Sequence, residues 1–432
     1  MPSRSLIVGP LHVRRTVSSV AIAALVLSGT VKAADQELWI GAWGFPSTSA
    51  PSPVAANSST ARVAGGEPLA PPNFDNVTVR QIVRISAAAT RVRIRISNEF
   101  GERPMRLGSV HVALAGPEGA SLPGSDHVVT FSGASNTIVP AGAPVLSDPL
   151  DWMIPALSQL AVSVYLPEAT TAPAHRLPSY VSSIGDFTAA ERMSGAQLQR
   201  AGALVSEIDI VSPVARRAVV TLGDSITEGF GSTPNAFKGW ADNLAQSLAG
   251  NPATRAWSLV DAGINSNRLL HDNPGANALA RFDRDVLSVP AVGTVIVLEG
   301  INDIGYSHMR PEEAVTADDI IAAYKQLIAR AHAHCLSIIG ATLTPFEDSH
   351  YFDAHGEQMR QAVNAWIRGS NAFDGVIDFD AALRDPGHPE SVITTLQRGD
   401  HLHPNDAGYS KMAAAIDLKL FGQSGESKCT IH

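Results

Sequence analysis

The stretch Gly223-Asp224-Ser225-Ile226-Thr227-Glu228-Gly229 decides the fold of this chain. It follows the apolar, β-branched run 218–222, which predicts a buried strand, and it precedes a segment with helical spacing over 240–248. A serine between glycines at a strand-to-helix turn can stand clear of the backbone, because glycine tolerates tight turns and leaves room for a substrate. Ser225 is therefore a candidate nucleophile. Taken alone, the stretch favours a serine that only caps a helix, and it is three later segments that favour the nucleophile.

From Ala218 onward the sequence alternates between strand-like and helix-like segments. A capping residue at Thr316, an acidic residue at Asp319 and an apolar face predict a helix over 316–334. The other predicted elements are strands at 257–260, 294–298, 336–343 and 376–379, and a helix at 407–420. Such alternation predicts a mostly parallel sheet with helices on both faces, which binds ligands at the carboxyl ends of its strands. Ser225 lies at one of those ends.

Residues 35–210 have a different, β-rich pattern. Short apolar runs separated by Gly, Pro, Asn and Ser clusters predict an antiparallel, jelly-roll-like β-sandwich, with runs at 77–83, 92–96, 109–114, 127–131 and 160–165. In the second run, apolar residues alternate with Arg91, Arg93 and Arg95, so we expect a half-buried strand whose basic face meets solvent. The alternative is a sugar-binding face, since the same region holds three tryptophans, namely Trp39, Trp43 and Trp152.

The first 33 residues have the pattern of a secretory signal peptide. Arg14 and Arg15 form a basic region, 17–27 is apolar, and Val31-Lys32-Ala33 resembles a cleavage site. We expect cleavage after Ala33 and a secreted or periplasmic protein. The paired arginines raise a twin-arginine route, but the hydrophobic residues and lysine that usually follow such a pair are not evident, which favours the general secretory path. An uncleaved anchor is disfavoured because the apolar run is too short for a membrane span. The expected mature chain comprises the sandwich at 35–210, an α/β domain at 216–423 and a tail at 424–432.

Charge and cysteine content restrict the classes of partner and compartment. The chain carries a formal charge of −9, and loss of the basic signal segment makes it more negative still, which argues against nucleic acid and anionic membranes as partners. Only Cys335 and Cys429 are present, so disulfides are not the scaffold. A bridge between these two cysteines remains open. Nothing in the sequence sets the oligomeric state.

A second motif near the end of the chain supplies what a serine nucleophile needs. A hydroxyl is a weak nucleophile, so it requires a base, and that base requires an orienting group. In the turn Asp400-His401-Leu402-His403-Pro404 the Asp400 carboxylate can meet one imidazole nitrogen of His403 while the other faces Ser225. His401 is the competing base. A metal site formed by Asp400, His401 and His403 is the alternative, although few further ligands lie nearby in sequence.

Two further strand exits offer hydrogen-bond donors for a developing oxyanion. At Asp261-Ala262-Gly263-Ile264-Asn265 a backbone N–H of Gly263 can point inward because no side chain blocks it. At Glu299-Gly300-Ile301-Asn302-Asp303 the Asn302 side chain can donate from its amide nitrogen. Each segment alone is also compatible with an ordinary turn.

Together and in this order, the four segments resemble the SGNH hydrolases, also called GDSL-type esterases and lipases. The resemblance covers residues 218 to about 421 and implies a flavodoxin-like three-layer α/β/α fold. It implies that Ser225 is the nucleophile and gives one oxyanion donor, that Gly263 and Asn302 give the others, and that Asp400 and His403 complete the triad. One departure is that Ile226 follows the serine where the family name has leucine, and we expect that side chain to pack and not react.

Longer phrases at 263–270, 280–283 and 400–405 resemble a narrower subgroup, the secreted proteins similar to xylan-associated acetyl esterases with an N-terminal β-sandwich. This implies a serine esterase that acts on short-chain acyl, especially acetyl, esters, such as those on polysaccharide. We expect it to act without a metal or cofactor. A broad-specificity lipase or arylesterase is the alternative. A carbohydrate-binding protein without activity is a further one, disfavoured because every catalytic residue type is present.

Overall fold

The computed structural model describes residues 1–2, 37–49, 73–272 and 274–422. The chain divides between Glu37 and Leu38 into two units, and all strands and helices described below belong to the second, Leu38–His432. All but two residues of the predicted signal segment, and the whole predicted tail 424–432, lie outside the described residues. In the part of the chain that is described, no helix combines the length and apolar character needed to cross a membrane.

The first half of the second unit consists of antiparallel sheets, as the sequence predicts. One has the strand order β1-β15-β4-β10 with β9 beside β4, and the other has the order β14-β13-β3-β11-β6-β7. Two short ribbons, β12-β2 and β5-β8, complete it. The strands are β1 Trp39–Gly44, β2 Asn73–Phe74, β3 Val77–Arg84, β4 Ala89–Asn98, β5 Met105–Leu107, β6 Ser109–Leu114, β7 His127–Val128, β8 Thr137–Val139, β9 Ala143–Leu146, β10 Leu150–Ile154, β11 Gln159–Leu166, β12 Thr170–Thr171, β13 Arg176–Ile184, β14 Gln197–Gly202 and β15 Val205–Val211.

The basic face of β4 is covered, and the expectation of a solvent-facing stripe holds only in part. Arg93 donates to Asp209 at 2.8 Å, and its guanidinium lies 4.3 Å from the centroid of the Trp39 ring. Arg95 pairs with Glu99 at 2.9 Å. Because neighbouring acids and a tryptophan occupy these arginines, the stripe belongs to the sheet's own packing.

The second half is a parallel sheet with the strand order β17-β16-β18-β19-β20. Numbered within this sheet, the order is 2-1-3-4-5, the flavodoxin-like arrangement, so the predicted fold class is confirmed. The strands are β16 Arg217–Gly223, β17 Trp257–Gly263, β18 Val292–Leu298, β19 Ser337–Ala341 and β20 Gly375–Ile377. The α-helices are α1 Ser225–Glu228, α2 Trp240–Gly250, α3 Ala278–Phe282, α4 Ile301–Met309, α5 Ala317–Ala333, α6 Ala354–Gly369, α7 Phe379–Leu383 and α8 Asp406–Ala414.

Most sequence predictions for the α/β part hold, with differences at the ends of elements. Helix α5 has the predicted cap at Thr316, reinforced by a reciprocal hydrogen bond with Asp319. The predicted helix 407–420 is too long, because α8 ends at Ala414 and a separate 3₁₀ turn covers Leu418–Phe421. Cys335 is disulfide-bonded, while Cys429, the other cysteine of the sequence, lies outside the described residues.

The sandwich and the α/β part share one hydrophobic core. Strand β1 lies against β17, and Ser258 of β17 donates its hydroxyl to the carbonyl of Gly41 at 2.6 Å. A Cβ atom at Gly41 would lie 2.6 Å from Val289 and 2.9 Å from Val260, so this close approach requires glycine. The sandwich is therefore built into the α/β part and is not a loosely tethered accessory.

Candidate active site

Three loops with predicted site residues leave the parallel sheet side by side. Strands β17, β16 and β18 are neighbours, and Gly223 of β16 is the register partner of both Gly263 of β17 and Leu298 of β18. Since the carboxyl ends of parallel strands share one edge, the loops after these strands open onto a common region. The distant turn 400–403 reaches this region through a hydrogen bond to Ser225.

Ser225 is the first residue of α1, directly after β16. Asp224 caps that helix, because its Oδ1 accepts the Ile226 N–H at 2.9 Å, so the helix-capping role does not fall to the serine. A side chain at Gly223 would collide with Thr227 Oγ1 and the Leu298 carbonyl. The tight strand-to-helix turn thus depends on glycine, and it leaves the Ser225 hydroxyl available for hydrogen bonding to His403.

His403 lies between Ser225 and Asp400. Its Nε2 is 2.8 Å from Ser225 Oγ, and its Nδ1 is 2.8 Å from Asp400 Oδ2. The ring of Phe230 meets the imidazole edge-on, with 4.8 Å between centroids. His401 instead donates its backbone N–H to Gln397 at 3.2 Å. Of the two histidines in this turn, His403 has the geometry of a general base for the Ser225 hydroxyl.

Asp400 is held as a carboxylate. Its Oδ1 accepts the backbone N–H groups of Leu402 at 3.1 Å and His403 at 2.9 Å. Desolvation is the largest single influence and raises its pKa, but the hydrogen bond and charge of His403 and the two backbone donors together hold the pKa of Asp400 well below its usual range. A carboxylate in this state keeps the Nδ1 proton of His403 and leaves the Nε2 lone pair directed at Ser225.

The predicted oxyanion donor Gly263 is engaged elsewhere. Its N–H donates to Asp261 Oδ1 at 2.8 Å. A side chain at this position would collide with the backbone of Glu228, so the glycine permits close packing of the loop on α1. The expectation that Gly263 presents a free N–H to a substrate is therefore not met.

Ser266, in the same loop, presents a donor that was not predicted from the sequence. Asn267 donates its N–H to the Ile264 carbonyl at 3.0 Å, which closes a tight turn with Ser266 at a φ of 59°. Ser266 is buried, and among the described residues its backbone N–H has no hydrogen-bond acceptor. The polar run after Ile264 was the available signal, because such residues tolerate turns with positive φ better than apolar ones.

Asn302 lies beside the same turn. It is 2 % exposed, and its Nδ2 donates to the Asn267 carbonyl at 2.8 Å. Since a side-chain amide nitrogen carries two hydrogens, the second remains for another acceptor. Asn302 thus both fixes the loop and offers a donor at the sheet edge.

A known protein family matches the part of the chain that contains these site residues. Residues 221–411 match the model of the GDSL-like lipase/acylhydrolase family, and the matched range contains all five predicted site residues. Residues 221–411 are a GDSL-like lipase/acylhydrolase domain. The predicted family resemblance is confirmed, and the chain is a carboxylic ester hydrolase by class.

Several solved structures are similar to the GDSL-like domain. A GDSL-like lipase from Bacteroides thetaiotaomicron VPI-5482 is 20% identical, with a TM-score of 0.34 and coverage of 46% of this chain and 85% of that one. The acetyl xylan esterase AlAXEase is 21% identical, with a TM-score of 0.36 and coverage of 46% of this chain and 96% of that one. A catalytic mutant of an acetylxylan esterase from Geobacillus stearothermophilus is 22% identical, with a TM-score of 0.38 and coverage of 48% of this chain and 95% of that one. No curated protein matches the chain significantly.

A buried arginine ties the site loops of the GDSL-like domain together. Arg281 donates to the carbonyls of Gly223 at 2.8 Å and Ala262 at 2.7 Å, and to Asn267 Oδ1 at 2.8 Å. Its guanidinium also lies 3.7 Å from the buried carboxylate of Glu299. Five donors in a planar fork suit this set of acceptors. Arg281 lies within the phrase 280–283, and no role was predicted for it from the sequence.

Two further carboxyl groups near Arg281 are buried. Burial raises the pKa of Asp224 to about 7 and that of Asp303 to about 6. Asp303 accepts the backbone N–H groups of Leu269 at 2.7 Å and Leu270 at 3.0 Å, so it anchors the loop after β17 from the side of α4. Asp303 therefore supports the loop that carries Ser266.

A metal site at the 400–403 turn finds no support in the geometry. The two ring nitrogens of His403 are hydrogen-bonded to Asp400 and to Ser225, so both are already engaged. Within the described ranges, no group of three or more His, Cys, Asp or Glu side chains could hold a metal ion.

Proposed function

We propose that this GDSL-like protein is a serine esterase that hydrolyses small acyl esters through a covalent acyl-enzyme on Ser225. One observation carries the proposal: Ser225, His403 and Asp400 form a hydrogen-bonded series with two contacts of 2.8 Å. That series stands where three parallel strands end, which is where such sheets bind ligands. The Ser-His-Asp order is the one that activates a hydroxyl for acyl transfer.

The reaction proceeds in two halves. His403 Nε2 takes the proton of Ser225 Oγ as that oxygen bonds to the ester carbonyl carbon, and it then gives the proton to the departing alcohol oxygen as the ester bond breaks. In the second half His403 takes a proton from water, whose oxygen attacks the acyl-enzyme, and returns it to Ser225. Asp400 accepts the hydrogen bond from Nδ1–H of His403 throughout and does not take that proton.

The negative charge on the carbonyl oxygen is held by three donors. The Ser225 N–H stands in the first turn of α1, where helical backbone donors lack intrahelical partners. The second hydrogen of Asn302 Nδ2 and the N–H of Ser266 complete the set, and Ser266 takes the place first assigned to Gly263. Donors fixed before the substrate arrives stabilise the transition state at no cost in reorganisation.

We propose that the acyl group is small, and acetyl above all. Ser225 is 4 % exposed and His403 is 9 % exposed, so little open surface surrounds the nucleophile, which favours a short acyl chain. A groove with a cavity volume of about 160 Å³ has in its wall Trp43 of the sandwich and Phe230 of the α/β part, the ring that meets His403 edge-on. Aromatic rings and polar groups in one groove suit a sugar chain, so we propose a polysaccharide as the alcohol part.

We place the reaction outside the cytoplasm, in the periplasm or the medium. This rests on the signal-like pattern of residues 1–33, and an extracellular polymer as the proposed substrate is consistent with it. N-terminal sequencing of the mature protein from its native host tests it: a first residue after Ala33 supports export, and a start at Met1 contradicts it.

The substrate proposal is tested by comparing acetate release from acetylated xylan with hydrolysis of long-chain lipid esters, using the wild type and Ser225→Ala. We expect acetate release by the wild type, little long-chain hydrolysis, and neither activity in the variant. Preference for long-chain esters would make the protein a lipase. Binding to insoluble xylan without any esterase activity would make it a carbohydrate-binding protein.

A further inference from the structure

The β-sandwich reaches the active site through Glu228, the last residue of the nucleophile helix α1. The Glu228 side chain is 7% exposed, and its carboxylate meets groups from two other parts of the chain. Oε2 accepts the backbone N–H of Asn265 at 2.7 Å and lies 3.1 Å from His175 Nε2. Oε1 accepts from Arg200 of β14 at 3.4 Å. One carboxylate thus joins α1, the loop after β17 and the sandwich.

His175, which directly precedes β13, is held rigidly. Its Nδ1 lies 2.7 Å from the carbonyl of Pro46, and its ring stacks on Phe45 with 3.9 Å between centroids and 15° between planes. It is 5% exposed. The Pro46 carbonyl and the Glu228 carboxylate thus lie at opposite ring nitrogens of His175. The imidazole therefore has a fixed position beside the carboxylate of Glu228.

The third contact of Glu228 leads to the oxyanion loop. Asn265 immediately precedes Ser266, and its backbone N–H is fixed by Glu228 Oε2. That N–H belongs to the Ile264–Asn265 peptide, which adjoins the peptide that carries the Ser266 N–H, so the Glu228 carboxylate constrains the Ser266 donor from one residue away. Desolvation raises the pKa of Glu228 most, but His175, Arg200 and the Asn265 N–H outweigh it and hold the pKa below its usual value.

We propose that His175 of the β-sandwich is a positioning residue for ester hydrolysis, which acts through Glu228 to fix the Ile264–Asn265 peptide and with it the adjoining Ser266 N–H at the oxyanion. The proposal rests on the proposed function, since it needs an oxyanion at Ser225. It gives the sandwich a part in catalysis beyond substrate binding or stability. The catalytic groups remain those that touch the substrate, and His175 does not.

A positioning role differs from a purely structural one in what it changes. Displacement of one donor weakens transition-state binding more than substrate binding, so kcat falls while KM changes little. A tetrahedral adduct on Ser225 should lose affinity in the same proportion. Loss of stability alone would lower the amount of folded enzyme and leave both constants unchanged per folded molecule.

The experiment compares His175→Ala with Ser258→Ala in the full chain. Ser258 also bridges the sandwich and the α/β part, through its hydrogen bond to Gly41 at 2.6 Å, but it lies at the far end of β17 from the site. For each variant, kcat and KM for p-nitrophenyl acetate, the inhibition constant of phenylboronic acid and the unfolding free energy are measured.

For His175→Ala we expect kcat to fall by about 10- to 100-fold, because a misplacement of about 1 Å at a catalytic group costs up to about 10²-fold. We expect KM to change less than about threefold and the inhibition constant to rise with the fall in kcat. Ser258→Ala should lose stability and keep kcat within about twofold.

An unchanged kcat in His175→Ala overturns the proposal, and so does an equal loss of kcat in Ser258→Ala. If His175→Ala does not fold, His175→Gln is measured against the same outcomes. Ser225→Ala is assayed in parallel, and turnover retained by that variant contradicts the proposed function itself, whatever the His175 variants do.

Discussion

Replacement of Asn302 by alanine tests the oxyanion site through a residue with two separable roles. Its Nδ2 donates one hydrogen to the Asn267 carbonyl at 2.8 Å, which fixes the loop that carries Ser266. Its second hydrogen is the proposed oxyanion donor. Asn302→Ala removes both interactions, so it should lower stability and turnover together.

The two effects have different magnitudes. The Asn267 carbonyl loses a donor in a buried setting, which costs about 1–3 kcal/mol of folding free energy. Loss of one oxyanion donor costs about 10²–10³-fold in kcat, or about 2.7–4 kcal/mol of transition-state stabilisation. We therefore expect a folded variant whose kcat is reduced by that factor and whose KM is little changed.

Asn364 provides a matched control. It is also a buried asparagine, and its Nδ2 donates to the Leu343 carbonyl at 2.8 Å, but it stands on α6 and not on a loop that carries a predicted site residue. Both alanine variants are assayed with p-nitrophenyl acetate and unfolded in urea. Asn364→Ala should lose stability and keep its kcat. If Asn302→Ala keeps kcat within about threefold while losing stability, Asn302 is structural and the oxyanion assignment is refuted.

Two further variants test the charges around the site. Asp400→Asn should lower kcat by about 10⁴, because the amide hydrogen would face Nδ1 of His403 and force the imidazole proton onto Nε2; kcat within tenfold of the wild type would contradict this. The second concerns pH. The pKa of the Asp224 carboxyl is about 7 in the folded state and about 3.9 in the unfolded state. Its contribution to the free energy of unfolding is therefore complete at a pH below its pKa in the unfolded state, and it is lost as pH rises through 7. Asp224→Asn keeps the helix-capping oxygen and should reduce the loss of unfolding free energy between pH 5 and 8 by about 3 kcal/mol; an unchanged pH dependence in urea unfolding would refute it.

The sequence predicted that the site residues lie close together, because one rule of parallel sheets applies to the loops that carry three of them. Parallel strands end at one edge, so motifs after β16, β17 and β18 had to meet there. The role of Gly263 was not predictable in the same way. Glycine serves both close packing and free backbone donors, and only the contacts with Asp261 and Glu228 show that packing is its use in this loop.

The contacts between the two halves could not be predicted from the sequence either. His175 and Glu228 are 53 residues apart in the sequence, and neither lies in a pattern that indicates a partner. Strand β1 has the pattern of the start of a separate domain, but its glycines allow it to pack directly on β17. Such contacts depend on side-chain geometry, which periodicity does not encode.

Covalent labelling of Ser225 tests the central claim most directly. The protein is treated with a fluorophosphonate, its intact mass is measured, and the labelled peptide is sequenced while residual esterase activity is followed. We predict one adduct per chain, on Ser225, formed in step with the loss of activity and absent from Ser225→Ala. A protein that loses activity with its adduct on another residue, or stays active with Ser225 fully labelled, would contradict the account.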